Sequence, residues 1–187
     1  MLKTYKIIIF FILLILPTNL NAHVQHYEKL NNIEFEIYRN NKHIGKHVFS
    51  FTKKNDELHV ESEINFIIKK LGVTLYKYHV KGTEVYKDGK LVKFNSKTDQ
   101  NGKKKYVNLS LKTNSNEEYI IDGSSYKGNA PLNYLLGTWW NHSIVEAPAQ
   151  ISAVSGRIIN QKVTFLGKEK LVLNGKNFDT LHFNFSS

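Results

Sequence analysis

Apolar and polar residues alternate along most of the chain after residue 30. A long run between residues 58 and 68 places its apolar members on one face and its charged members on the other. The first face carries Leu58, Val60, Ser62, Ile64, Phe66 and Ile68. A period of two is typical of a β-strand with one buried face. The pattern therefore predicts a chain built of β-strands.

Short turn sequences separate these alternating runs. Asp88-Gly89 and Asn101-Gly102 supply the positive backbone angles that a type I′ hairpin turn needs. Such short connections join neighbouring strands in antiparallel order. The sequence thus predicts an all-β fold, an antiparallel meander of about ten strands that curls into an open barrel or half-barrel. Gly82 lies inside a long alternating run, where we expect a bulge or bend.

The stretch PLNYLLGTWWNHS, residues 131–143, interrupts the alternation. Pro131 is suited to the first position of a helix, so Leu132 to Asn141 is the candidate for one short helical segment. Trp139 and Trp140 together can bury a large apolar area. The segment is therefore expected to cover the apolar face of the curled sheet. The alternative is that it gates a cavity for an apolar ligand.

The first residues have the pattern of a secretory signal peptide. Lys3 and Lys6 precede an unbroken apolar run from Ile7 to Leu16, and a small residue, Ala22, offers a cleavage position. The apolar run is too short to span a bilayer. We expect residues 1–22 to be the signal peptide and residues 23–187 to form a single β domain. The mature protein is then periplasmic, without a transmembrane segment or, because the chain has no Cys, a lipid anchor.

The chain is basic, with a formal net charge of +10. Arg39 and Arg157 are the only arginines, whereas proteins that bind nucleic acid lean on the forked guanidinium group. We therefore expect no nucleic-acid partner. A basic exported protein is suited to meet anionic lipid or another envelope component. Simple solubility is the other interpretation of the charge.

Several stretches resemble a family of uncharacterised exported bacterial proteins that is known only as a domain of unknown function. They are FEIYRNNKHIGKHVFSF (35–51), LHVESEINF (58–66), LGVTLYKYHVKGTEVYKDGKLVKFNSKTDQNGKK (71–104), the Trp-Asn pair within 136–141, and SGRIINQKVTFLGKE (155–169). The resemblance implies an antiparallel β fold in the envelope of Gram-negative bacteria, and it assigns no chemistry. It also implies a further hairpin after the last strand, so we expect either that the β domain is shortened at its C-terminus or that its last strand is an open edge.

No motif for nucleophilic catalysis, phosphate binding or zinc binding is present, so the chain is not expected to be an enzyme. The first functional hypothesis is a binding or carrier module, because small curled sheets either fill their interior or hold one ligand there. The ligand would be apolar or amphipathic, such as a lipid. The candidate lining residues are Phe35, Phe49, Phe51, Phe66, Tyr76, Tyr78, Phe94, Trp139 and Trp140.

Two alternatives remain open. One is a structural or partner-binding periplasmic protein with a filled core, which could self-associate through an open apolar edge strand near Phe178 and Leu181. The other is a copper protein. Cleavage after Ala22 would make His23 the N-terminal residue, and its amine and ring could bind copper with help from His26. Otherwise no cofactor is expected.

Overall fold

A computed structural model describes residues 30–112 and 118–187 of the chain. The expected signal peptide at residues 1–22 lies outside these residues, as do His23 and His26. Within them the chain forms thirteen β-strands and a 3₁₀ helix at His142–Val145. The strands are β1 (Asn32–Arg39), β2 (Lys42–Lys54), β3 (Glu57–Lys70), β4 (Val73–Lys87), β5 (Lys90–Gln100), β6 (Lys103–Lys112), β7 (Glu118–Gly123), β8 (Lys127–Pro131), β9 (Leu135–Leu136), β10 (Ala149–Ile151), β11 (Ile158–Asn160), β12 (Lys162–Leu173) and β13 (Lys176–Ser186).

The first eight strands form one antiparallel meander in chain order. The predicted turns are confirmed, since Asp88 and Gly89 have φ angles of 49° and 75° and Asn101 and Gly102 have 51° and 88°. Strands β1 and β8 are the two edges of this sheet and do not pair with each other. The predicted all-β, open antiparallel meander is therefore confirmed.

The sheet bends at register shifts, which lie at Ile37/Tyr38, Ile68/Lys69 and Val85/Tyr86. No bulge lies at Gly82, because the register is regular where Gly82 faces Ser62 and Ser96. The alternative, a bend at Gly82, stays a prediction. Glycine is needed there for another reason. A Cβ atom at residue 82 would lie 3.0 Å from the ring of Phe94, which is almost completely buried.

The rest of the chain leaves the meander. Strands β9, β10 and β11 form a small sheet in which β9 runs parallel to β10, and β12 pairs with β13 as a separate hairpin. Leu136 of β9 and Ile151 of β10 join the core of the large sheet. The strand count exceeds the predicted ten because these short strands show no alternation.

The predicted helical segment at Leu132–Asn141 is wrong in position and extent. Strand β9 lies inside that range, and Trp139 has a φ angle of 70°, which no α-helix accommodates. The helical turn begins only after Asn141, whose side-chain oxygen accepts a hydrogen bond from the Ser143 backbone N–H at 3.0 Å. This is an N-cap, and it fixes the start of the 3₁₀ helix at His142.

The hydrophobic core lies on one face of the large sheet, as the alternation predicts. Val60, Glu84, Phe94, Leu109 and Ile121 are successive partners across β3 to β7, and all five are buried. The segment from β9 to β11 packs onto this face. Within the described residues, no helix is long and apolar enough to cross a bilayer.

Candidate functional site

A partly open cavity of about 1200 Å³ lies at the end of the sheet where β1 turns into β2. Its walls come from the β1–β2 turn, β2, residues 61–70 of β3, and β4. Typical pockets for small ligands are about 300–1,000 Å³, so this cavity has room for a lipid-sized molecule. We refer to it as the β1–β4 cavity.

Local sequence explains the course of the strands around this cavity. Asn40 and Asn41, with φ angles of 49° and 60°, form the tight turn between β1 and β2. Gly45 then lets β2 come close to β3, since a Cβ atom at this position would collide with the carbonyl oxygen of Asn65. The register shift opposite Ile68/Lys69 leaves Leu75 of β4 as an extra residue, which bends β4 there. These three features shape the walls of the β1–β4 cavity.

The central lining of the cavity is apolar. It consists of Ile44, Val48, Phe66, Ile67, Ile68 and Leu75. The ring of Phe66 also stacks on those of Tyr76 and Tyr78, with centroid distances of 6.0 and 5.0 Å. The aromatic stack extends the apolar surface from the cavity along the sheet.

Some of the charged residues around the cavity are already paired. Lys46 Nζ lies 2.5 Å from Glu34 Oε1 and 3.3 Å from Glu36 Oε1, and these carboxylates raise the pKa of Lys46. His43 also pairs with Glu36. Lys81 Nζ lies 3.3 Å from Glu63 Oε2.

Glu63 has a second partner beside Lys81, since its Oε1 lies 2.8 Å from His79 Nε2. The hydrogen bond with His79 is the largest influence that lowers the pKa of Glu63. The charge of Glu63 is therefore balanced by its partners on β4, Lys81 and His79.

Four other cations line the same cavity without such neutralisation. Among the described residues, no carboxylate pairs with Arg39, Lys42, Lys69 or Lys70. They lie at the end of β1, the start of β2 and the end of β3. We call these four residues the basic end of the cavity.

The structure does not bring the nine predicted lining residues into one hollow. Four of them are packed inside the core: Phe49, Phe51, Phe94 and Trp140. Phe66 lines the β1–β4 cavity, and the half-buried Tyr76 and Tyr78 lie beside it. Phe35 is 51% exposed and packs edge-on against Phe49.

The two tryptophans differ in environment. Trp140 is buried, whereas Trp139 is 55% exposed and contacts the ring of Phe185 in β13 at 5.1 Å. Consecutive residues of an extended chain point to opposite sides, and the positive φ of Trp139 turns the backbone further. Only one of the two indoles therefore covers the sheet.

Sequence reasoning missed the group that Trp140 covers. Glu84 is completely buried in the middle of the apolar face. It accepts hydrogen bonds from Trp140 Nε1 at 2.9 Å and from Tyr86 Oη at 2.6 Å, and another from the Thr138 side chain. Burial raises the pKa of Glu84 from 4.5 to about 7, although these hydrogen bonds oppose the shift.

Each residue of the Trp-Asn pair that marks the family resemblance forms a hydrogen bond with a side chain of the large sheet. Trp140 bonds to Glu84, and Asn141 bonds to the side chain of Tyr86, two residues further along the same face of β4. A cavity of about 240 Å³ beside this contact is lined by apolar side chains, among them Leu91, Leu132, Leu136 and Ile144. It is smaller than typical ligand pockets. We interpret the hydrogen bonds of Trp140 and Asn141 as the contacts that hold the covering segment on the sheet.

No group of three or more His, Asp and Glu side chains within residues 30–112 and 118–187 is arranged to hold a metal ion. The residues of the copper hypothesis, His23 and His26, lie outside that part of the chain. The copper hypothesis therefore stays a prediction.

The hairpin of β12 and β13 exposes apolar side chains on both faces. They include Phe165, Leu171, Val172, Phe178 and Leu181. Among the described strands, β12 and β13 pair only with each other. Self-association through an open edge also stays a prediction.

Comparison with known proteins gives one assignment. A family model described as a domain of unknown function, DUF6134, matches residues 35–187. No curated protein and no solved structure matches the chain. The match covers most of the sequence and agrees with the resemblance carried by residues 35–169. The chain belongs to the DUF6134 family.

Proposed function

We propose that this protein is a non-catalytic binding or carrier module that holds an apolar or amphipathic ligand in the β1–β4 cavity. The observation that carries the proposal is a cavity of about 1200 Å³ whose lining combines several apolar side chains with charged ones. Such a combination of an apolar wall and a few polar groups is typical of ligand pockets.

The proposed ligand site is not the face of the sheet that Trp140 covers. That part of the sheet is filled by Phe49, Phe51, Phe94 and Trp140 itself, which are all buried. At the β1–β4 end the apolar side chains are less covered, as Leu75 and the half-buried Ile67 illustrate. A ligand would supply the missing cover there.

We further infer that the protein acts in the periplasm. This rests on the charged and apolar pattern of residues 1–22. Apolar and amphipathic molecules cross an aqueous compartment slowly unless a protein shields their apolar part. A carrier would serve that compartment.

Binding of the neutral apolar dye 1-N-phenylnaphthylamine tests the proposal, because its fluorescence rises in an apolar site. The variant Ile67→Glu places a charge in the apolar wall of the cavity. The matched control is Ile120→Glu, which makes the same change on an exposed residue of β7 outside the cavity. We expect the unmodified protein and Ile120→Glu to bind the dye and Ile67→Glu to lose at least about tenfold in affinity, since a buried charge is costly.

Two results would contradict the proposal. One is the absence of dye binding by the unmodified protein. The other is equal binding by Ile67→Glu and Ile120→Glu, which would place the dye elsewhere. Circular dichroism of each variant shows whether the sheet is retained.

A further inference from the structure

We propose that the ligand of the β1–β4 cavity is an anionic amphiphile whose phosphate or carboxylate group binds at the basic end. The inference rests on the proposed function, and it adds the chemical class and the orientation of the ligand. It is carried by the arrangement of charge along β3 and by the pairing of the cations around the cavity.

The lining changes character along β3. Glu61 and Glu63 lie at one end of the lined stretch, the apolar residues 66–68 lie in the middle, and Lys69 and Lys70 lie at the other end. A strand rises about 3.3 Å per residue, so the acidic and basic ends are about 20–30 Å apart. Lys81 and His79 pair with Glu63 at the first end, whereas among the described residues no carboxylate pairs with Lys69 or Lys70 at the second end, so an anion is attracted most strongly at the second end. The charges of the lining therefore favour one orientation of an anionic ligand, with its anionic group at the basic end.

The turn between β1 and β2 brings two more cations to the same end. Arg39 closes β1 and pairs in register with Lys42 at the start of β2. Both line the β1–β4 cavity together with Lys69 and Lys70. Four like charges that share one cavity repel each other, and an anion placed between them removes that repulsion.

The paired cations of the cavity do not compete for this role. Lys46 is held by Glu34 and Glu36, and Lys81 by Glu63. The basic end has no such carboxylates among the described residues. Charge-assisted hydrogen bonds from Arg and Lys suit phosphate and carboxylate oxygens, and arginine can bind two oxygens at once.

An apolar wall adjoins these cations directly. Ile67 and Ile68 precede Lys69 in the chain, and Ile44 follows Lys42 by two residues. A free inorganic anion would use only the cations and leave the apolar wall in water. A molecule with an anionic group and an alkyl chain would use both, which is why we favour an amphiphile.

Displacement of 1-N-phenylnaphthylamine by four twelve-carbon compounds tests the head group. The compounds are dodecyl phosphate, dodecanoate, dodecanol and dodecyltrimethylammonium, each kept below its micelle concentration. We expect both anions to bind about tenfold more tightly than dodecanol at low salt and dodecyltrimethylammonium to bind most weakly. Higher salt should reduce the advantage of the anions. These measurements use the unmodified protein.

The double variant Lys69→Gln/Lys70→Gln tests the position of the head group. It should weaken dodecyl phosphate binding about tenfold and change dodecanol binding less than about twofold. The matched control is Lys168→Gln/Lys170→Gln, which removes the same charge from β12, outside the cavity. The control should bind dodecyl phosphate like the unmodified protein.

Different binding results would overturn the head-group inference and the proposed function. If dodecanol and dodecyl phosphate bind the unmodified protein equally, the head-group inference is overturned while the proposed function stands. If inorganic phosphate displaces dodecyl phosphate at equal concentration, the site is a free-anion site and the inference is also overturned. If neither the dye nor any twelve-carbon compound binds, the proposed function itself fails.

Discussion

At the scale of single residues, Glu84 places a carboxyl group in the centre of an apolar face. Its cross-strand neighbours are Val60 and Phe94, and both are buried. The buried charge is unfavourable, so burial raises the pKa of this carboxyl group to about 7. The protonated form is therefore the one that the folded protein stabilises.

The first prediction concerns Glu84→Gln. In the unmodified protein the stabilising contribution of Glu84 is complete below its ordinary pKa of 4.5 and is lost as the pH rises through about 7. Glutamine stays neutral at every pH, so the variant loses no stabilising contribution at this position as the pH rises. The free energy of unfolding of Glu84→Gln, relative to the unmodified protein, should thus increase by roughly 3 kcal/mol between about pH 5 and pH 8. Urea unfolding of both proteins at each pH measures this difference.

The comparison of two proteins is needed because His47 titrates in the opposite sense. Burial lowers the pKa of His47 from 6.5 to about 4, so its contribution to stability falls as the pH drops through this range. The contribution of His47 is the same in both proteins, so it cancels in the difference between their free energies of unfolding. A constant difference between Glu84→Gln and the unmodified protein across this pH range would contradict the raised pKa of Glu84.

The alternation alone places Glu84 on the buried face. Val80, Gly82, Glu84 and Tyr86 are two residues apart in sequence, and all four are buried. A strict count of the period therefore predicts a buried carboxyl group. Its partner Trp140 is 56 positions away, and local patterns carry no information on such distant contacts.

At the scale of elements, the segment Thr138–Asn141 is a cover held by polar contacts. Thr138 and Trp140 bond to Glu84, and Asn141 bonds to Tyr86. The indole of Trp140 also packs edge-on against Phe51 and Tyr86, with centroid distances of 5.4 and 5.5 Å. Trp139 takes part in none of these contacts and lies against Phe185.

The second prediction compares Trp140→Phe with Trp139→Phe. Trp140→Phe removes a donor to a buried carboxyl group and leaves space in the core, so it should lower the free energy of unfolding by about 2–3 kcal/mol. Trp139→Phe changes a half-exposed ring and should cost less than about 1 kcal/mol. Urea unfolding followed by circular dichroism compares the two. Equal losses would mean that both indoles cover the sheet.

The elements of the meander were predictable because their signals are local. Asp88-Gly89 and Asn101-Gly102 fix two hairpins by their own backbone preferences. The helix expected at residues 132–141 was wrong because apolar residues in a short run do not distinguish a helix from an irregular cover. The positive φ of Trp139 is imposed by its surroundings, and propensity does not indicate it.

At the scale of the molecule, the open meander followed from the sequence, but the placement of the remaining strands did not. The parallel pairing of β9 with β10 joins residues separated by the 3₁₀ helix, and such pairing cannot be deduced from alternation. The placement of the predicted aromatic residues relative to the β1–β4 cavity was not deducible for the same reason. The predicted aromatic residues alternate correctly, yet Trp140 and its neighbours fill the space that they were expected to line.

The β1–β4 cavity arises from geometry that only the folded chain shows. Gly45 lets β2 lie close against β3, and the extra residue Leu75, opposite Ile68/Lys69, bends β4. The sequence indicated an apolar or amphipathic ligand and a basic surface separately. The structure brings apolar side chains into one cavity with cations that pair with no carboxylate among the described residues.

The most direct test is a titration of ¹⁵N-labelled protein with dodecyl phosphate below its micelle concentration, observed by two-dimensional NMR. We expect the largest shift changes at amides of residues 42–46, 48, 66–70 and 75, which line the β1–β4 cavity. Shift changes centred on Trp140, changes centred on the β12–β13 hairpin, or no changes at all would contradict binding in that cavity.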